Sequence, residues 1–146
     1  KDFDVQIRDI DRQLTELVGQ AAPQLLEQLL EQSGIGPFCA AQIYVSWSHE
    51  GRCRNDGAFA RLAGVAPIEA TSGQTNNKFR LSRGGDRQLN RALHVIMLSR
   101  SRTDPATRDY IARSIAAGKS ERDAKRALKR YIARRVWRLL EHPLDT

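Results

Sequence analysis

Apolar residues recur at alternating intervals of four and three from the start of the chain: Phe3, Ile7, Ile10, Leu14, Leu17 and Ala21. That spacing draws one stripe along a helix and excludes a strand, in which residues on one face recur every second position. A stripe this regular is the seam of a helix packed against another helix, so residues 1–22 are predicted to end a coiled-coil arm. Pro23 disfavours a helix interior but suits a first turn, so a new helix is predicted there, with Leu25, Leu26, Leu29 and Leu30 turned inward. Residues 23–146 are predicted to form one compact helical domain, and the whole chain is read as all-α.

The helix after Pro23 runs into LLEQSGIGPFCAAQI (Leu29 to Ile43), which reads as helix, Gly-Ile-Gly hairpin and a second helix beginning near Phe38. The segment resembles the helix-hairpin-helix motif of DNA repair and recombination proteins. Gly34 and Gly36 permit tight backbone geometry, Ile35 can plug between the helices, and unpaired amides at the second helix's start can face a phosphate. A plain αα-hairpin with a glycine cap accounts for the same residues without a ligand. Farther on, SWSHEGRCRNDG (residues 46–57) reads as an irregular connection and FARLAGVAP (Phe59 to Pro67) as a short helix stopped at Gly64. Helix resumes after Gly84 and Gly85 with Leu89, Ala92, Leu93 and Ile96 as its apolar stripe. Asp104-Pro105 and Gly118 bracket another helix. Ser120 to Asp123 opens the last one, expected to bury Ala124, Leu128, Tyr131, Ile132, Val136 and Leu139.

Charge is unevenly spread. In residues 1–33, Lys1, Arg8 and Arg12 face seven carboxylates, a net of minus four within a chain of +7, so the remainder carries +11. A surplus of that size is the footprint of a nucleic-acid binder, because each phosphate neutralised by Lys or Arg releases counterions. Arg83, Arg87 and Arg91 recur every four residues on one helix face, with Lys78 and Arg80 just ahead of them. These five residues and the Gly34–Gly36 hairpin are expected to form one phosphate-binding surface.

Other chemistries find little support. Cys39 and Cys53 are far apart, without CxxC spacing or a histidine cluster, so no metal site is predicted and both are expected to be reduced thiols. His49, His94 and His142 show no triad pattern. No apolar run approaches the twenty or so residues a membrane span requires, and no membrane partner is expected. Lys1 in place of Met, with helical patterning already under way at Phe3, suggests a piece of a longer protein.

The densest stretch is EATSGQTNNKFRLSRGGDRQLNRALH (Glu69 to His94). Taken alone, Thr71-Ser72-Gly73 reads as a turn with local side-chain hydrogen bonds. In order, however, SGIGPFCAAQI, FARLAGVAP and SGQTNNKFRLSRGGDRQLNRALH resemble the C-terminal transposase domain of the Piv-like DEDD insertion-sequence transposases and invertases. The likeness extends from about Leu25 to the terminal helix.

The resemblance implies a full-length enzyme with an N-terminal RuvC-like domain, whose acidic residues hold a divalent metal (Mg), followed by a coiled coil and then this domain. It implies Ser72 as the nucleophile of a DNA transposase or site-specific recombinase, with Thr71 and Gly73 beside it at the DNA. Expected partners are DNA, a guide RNA in some family members, and further copies of the chain through the coiled-coil arm. No cofactor is expected in this chain, the isolated fragment is expected to be inactive, and the setting is expected to be the bacterial cytoplasm, at the nucleoid. The alternatives left open are a non-catalytic helix-hairpin-helix module that binds DNA or RNA, and a helical oligomerisation protein.

Overall fold

The computed structural model describes residues 2–67 and 85–143, and all regular structure among them is helical. Its elements are α1 (Asp2–Ala21), α2 (Pro23–Glu31), α3 (Pro37–Trp47), α4 (Asp56–Leu62), α5 (Arg87–Thr103), α6 (Pro105–Ala116) and α7 (Glu121–Glu141). The helix starts follow local chemistry. Asn55, Asp86, Asp104 and Ser120 each accept a hydrogen bond from the amide three residues on, satisfying a first-turn donor that no helical carbonyl can reach. Pro23, Pro37 and Pro105 occupy first turns, where a missing N–H costs nothing.

The core lies where α3, α5 and α7 converge, with Leu29, Ile43, Phe59, Leu89, Leu93, Ile96, Met97 and Ile132 completely enclosed. α1 lies against α2 and α3, α4 lies along α7, and α6 covers α5 and α7. Polar ties close the far end: the Trp47 indole donates to Glu141 Oε2 at 2.7 Å, and Arg138 Nη2 donates to Asp56 Oδ2 at 2.6 Å. No helix among the described residues is long and apolar enough to cross a membrane.

The apolar pattern translates into burial unevenly. In α1 only Val18 is buried and Leu14 partly so, both where the helix meets the core, while Phe3, Ile7, Ile10 and Leu17 remain exposed. In α7, Tyr131 is exposed at 55% and Leu139 is only half-buried, contrary to expectation, whereas Ala133 and Leu140 are buried. The cause is a change of neighbours. The first turns of α7 face α5, but Arg134 and Arg138 reach Asp56 of α4 and Glu141 reaches Trp47 of α3. The buried stripe therefore drifts around the helix instead of following one straight face.

Candidate nucleic-acid interface

The segment that carries the sequence's densest signal is entered from α4 and left into α5, and those two ends are bound together. The Asp86 amide donates to the Leu62 carbonyl at 2.7 Å, and Asn90 Nδ2 donates to the Ala63 carbonyl at 2.8 Å. Asp86 also divides its carboxylate. Oδ1 caps α5 by accepting from the Leu89 amide at 2.9 Å, and Oδ2 accepts from the Ser46 hydroxyl at 2.7 Å. Ser46 in turn accepts from Gln42 Nε2 at 2.9 Å, so α3 anchors the junction from below. Thr71, Ser72, Gly73, Lys78, Arg80 and Arg83 lie outside the described residues. The reach of Asp86 across forty residues to Ser46 has no signal in the local sequence.

Arg87 and Arg91 are exposed, one turn apart, immediately after that junction. They stand on the face of α5 opposite its buried stripe. Gly34 lies over the buried side of the same helix, against the Ile96 carbonyl and Arg100 Cγ. At about 100° per residue, Arg87 and Arg91 are roughly 140–180° around α5 from Ile96. The structure thus brings the two arginines beside the Asp86 junction and does not bring them onto one face with the Gly34–Gly36 hairpin.

The hairpin has its own support. Gly34 holds φ +81°, in the left-handed region that favours glycine, and Ile35 is buried as a plug. Arg100 underpins the turn: Nε donates to the Ser33 carbonyl at 2.6 Å, from a side chain that is itself buried. Burial pushes its guanidinium down from the usual range; Asp104 opposes that shift and Arg135 adds to it. No side chain caps α3, whose N-cap is Gly36, followed by Pro37. Pro37 carries no N–H and the Ala40 amide donates to the Gly36 carbonyl, so the exposed Phe38 supplies a first-turn amide that no helical carbonyl reaches. Sequence reasoning missed Arg100, because nothing local separates it from the other arginines of a basic helix.

Cys39 and Cys53 are free and buried, and burial raises both thiols, so neither is an activated nucleophile. Among the described residues no group of three or more His, Cys, Asp or Glu side chains could hold a metal ion.

Comparison with known proteins decides what kind of chain carries this geometry. The Transposase IS116/IS110/IS902 family description matches residues 26–112, from α2 through most of α6. The chain belongs to this transposase family. It is 28% identical, over 99% of its length, to the insertion element IS900 uncharacterized 42 kDa protein of Mycobacterium paratuberculosis, covering 37% of that protein. It is 32% identical, over 86% of its length, to the insertion element IS110 uncharacterized 43.6 kDa protein of Streptomyces coelicolor, covering 30% of it. The chain thus spans about a third of the length of these curated relatives. The matched region takes in both the hairpin and the Asp86 junction with Arg87 and Arg91.

Proposed function

We propose that this chain is the DNA-binding, serine-bearing part of a DNA transposase, in which Ser72 attacks a DNA phosphodiester. The observation that carries the reading is the Asp86 junction. In a transposase-family chain, the two ends flanking residues 68–84 are clamped beside exposed Arg87 and Arg91. Such a base suits a segment that must meet DNA repeatedly in one register.

The exchange balances without an external energy source. The Ser72 hydroxyl gives up its proton to a base, its Oγ bonds to phosphorus, and one phosphorus–sugar oxygen bond breaks. The leaving sugar oxygen takes a proton, and the ester number is unchanged. A second DNA hydroxyl reverses the step on a new end and frees the serine. Arg80, Arg83 and Arg87 would stabilise the charge on the five-coordinate phosphorus, and Thr71 and Gly73 would allow close approach of the backbone. Lys78 and Arg91 would hold flanking phosphates. Gly34, Ile35 and Gly36 would form a second, separate backbone contact through the α3 first turn.

The family resemblance assigns divalent metal (Mg) to a RuvC-like domain elsewhere in the full-length enzyme. The described residues do not fit a metal site, so no step in this chain is routed through one. The exposed stripe of Phe3, Ile7, Ile10 and Leu17 suits self-association through a coiled coil. A guide RNA would compete for the same cationic surface.

The test is Ser72→Ala in the full-length transposase. Strand exchange should be lost while DNA affinity stays within about twofold of the parent. Recombination at the parental rate would leave the chain a non-catalytic DNA- or RNA-binding module.

A further inference from the structure

The last helix is the most basic element of the molecule, with eight Arg and Lys residues against Glu121, Asp123 and Glu141. A charge-rich helix on a surface is ordinarily just solvated, so position must decide whether this one does more. Arg130, Arg134, Arg135 and Arg138 are accounted for separately. Arg134 and Arg138 reach Asp56, Arg135 faces Arg100, and Arg130 is half-buried. Lys125 and Lys129 differ. They stand one turn apart on a helix packed against α5, and their charges act on His94 of α5, which is exposed three residues after Arg91.

Arg87, Arg91 and His94 follow a spacing of four and three, so they share the outer face of α5 and His94 is the point where that face meets α7. Three cationic or protonatable groups on one helix are thereby continued by two on the next. In that continuation Lys125 is paired with Glu121 at 2.9 Å. Lys129 is half-buried, and the charge acting on it is Arg126, of its own sign. Burial and the two lysines push His94 below its ordinary range, and burial with Arg126 does the same for Lys129. The folded protein therefore holds like charges together and partly dehydrated, and the described contacts supply only one anion. A bound polyanion would relieve that arrangement.

We propose that His94, Lys125 and Lys129 extend the Arg87–Arg91 face into a groove for a nucleic-acid phosphodiester backbone, so that α7 belongs to the binding surface. The proposal rests on the reading of this chain as a DNA-binding domain, and it assigns the terminal helix a role in it. Cβ atoms one turn apart on a helix are about 6 Å from each other, close enough for Lys125 and Lys129 to engage successive phosphates of one strand. The ligand is recognised through its backbone, so duplex DNA and structured RNA present the same chemistry.

The test compares double variants of the full chain by fluorescence anisotropy across a salt series, with a DNA duplex in one arm and an RNA hairpin in the other. Glutamine keeps part of the aliphatic stem and removes the charge. Lys125→Gln with Lys129→Gln should lower the slope of log affinity against log salt by about 2 on duplex DNA, at roughly 0.9 per lost phosphate contact. Thermal melting should stay unchanged. The arm with the larger loss identifies the ligand. Arg8→Gln with Arg113→Gln removes the same charge from α1 and α6 and should leave the slope within about 0.5 of the parent. An unchanged slope for the lysine pair in both arms overturns the proposal, as does an equal loss in the α1 and α6 control. If Arg87→Gln with Arg91→Gln lowers the slope while the lysine pair does not, this inference fails and the DNA-binding reading stands. If the lysine pair lowers the slope while Ser72→Ala leaves recombination intact, the groove stands and the catalytic reading fails.

Discussion

Replacing Gly34 with alanine adds one methyl group at the tightest point of the hairpin. The new Cβ would lie 3.0 Å from Arg100 Cγ and 3.1 Å from the Ile96 carbonyl oxygen, and the residue would still have to hold φ +81°. The left-handed backbone costs an L-residue about 1–2 kcal/mol. Crowding against a carbonyl in the middle of α5 adds about 1–3 kcal/mol, because that oxygen cannot move without disturbing the helix. Reduced freedom of the unfolded chain returns about 0.4–1 kcal/mol, which leaves a net loss of about 1–4.5 kcal/mol. For a domain of this size that lowers the melting temperature by roughly 3–18 °C. Gly36 supplies the comparison: a Cβ there meets nothing within 4 Å, and its φ is −97°. Gly36→Ala should cost less than about 1 kcal/mol. Thermal denaturation followed by circular dichroism reads both. Equal losses in the two variants, or a Gly34→Ala protein melting within a degree or two of the parent, would refute the claim that Arg100 and α5 fix the hairpin.

Phe59→Ala empties a completely enclosed site at the base of α4 and should cost about 3–5 kcal/mol in urea unfolding. Asp86→Ala removes the α5 cap and the acceptor for the buried Ser46 hydroxyl, and should cost about 2–3 kcal/mol with faster hydrogen exchange at the Leu89 amide. His94 lies below its ordinary value of 6.5 when folded, because of burial, Lys129 and Lys125, so the unfolded chain takes up its proton first. Stability should therefore be highest above about pH 6.5 and decline as pH falls through that value, and His94→Gln should flatten that part of the profile.

Much of the fold is written locally. Asp104 before Pro105 and Ser120 ahead of Asp123 begin helices because the required chemistry lies within three or four residues. The Gly-Ile-Gly hairpin is legible for the same reason: two glycines around an apolar plug, after a leucine-rich helix and before Pro37, mark the turn locally. What stayed hidden depends on partners far along the chain. Ser46 with Asp86, Ser33 with Arg100, and Trp47 with Glu141 are ties across forty residues or more, and periodicity says nothing about them. Tyr131 looked like a core residue because the apolar pattern of α7 was extended as one straight stripe. The helix changes neighbours midway, and the stripe turns with it. Of the single phosphate surface expected from the basic residues, the described part divides, with Arg87 and Arg91 on the outer face of α5 and Gly34 against its buried side. Spacing along α5 does not reveal which of its faces meets the hairpin. The pairing of α5 with Lys125 and Lys129 could only emerge once α7 was seen beside it.

The central proposal is that Ser72 becomes covalently joined to DNA. The most direct measurement is mass spectrometry of the full-length enzyme denatured during reaction on a nicked or stalled DNA substrate. The account predicts a nuclease-trimmed nucleotide on the peptide containing Ser72, and none in the Ser72→Ala enzyme. An adduct on a different residue, or strand exchange proceeding with the Ser72 peptide unmodified at every time point, would contradict it.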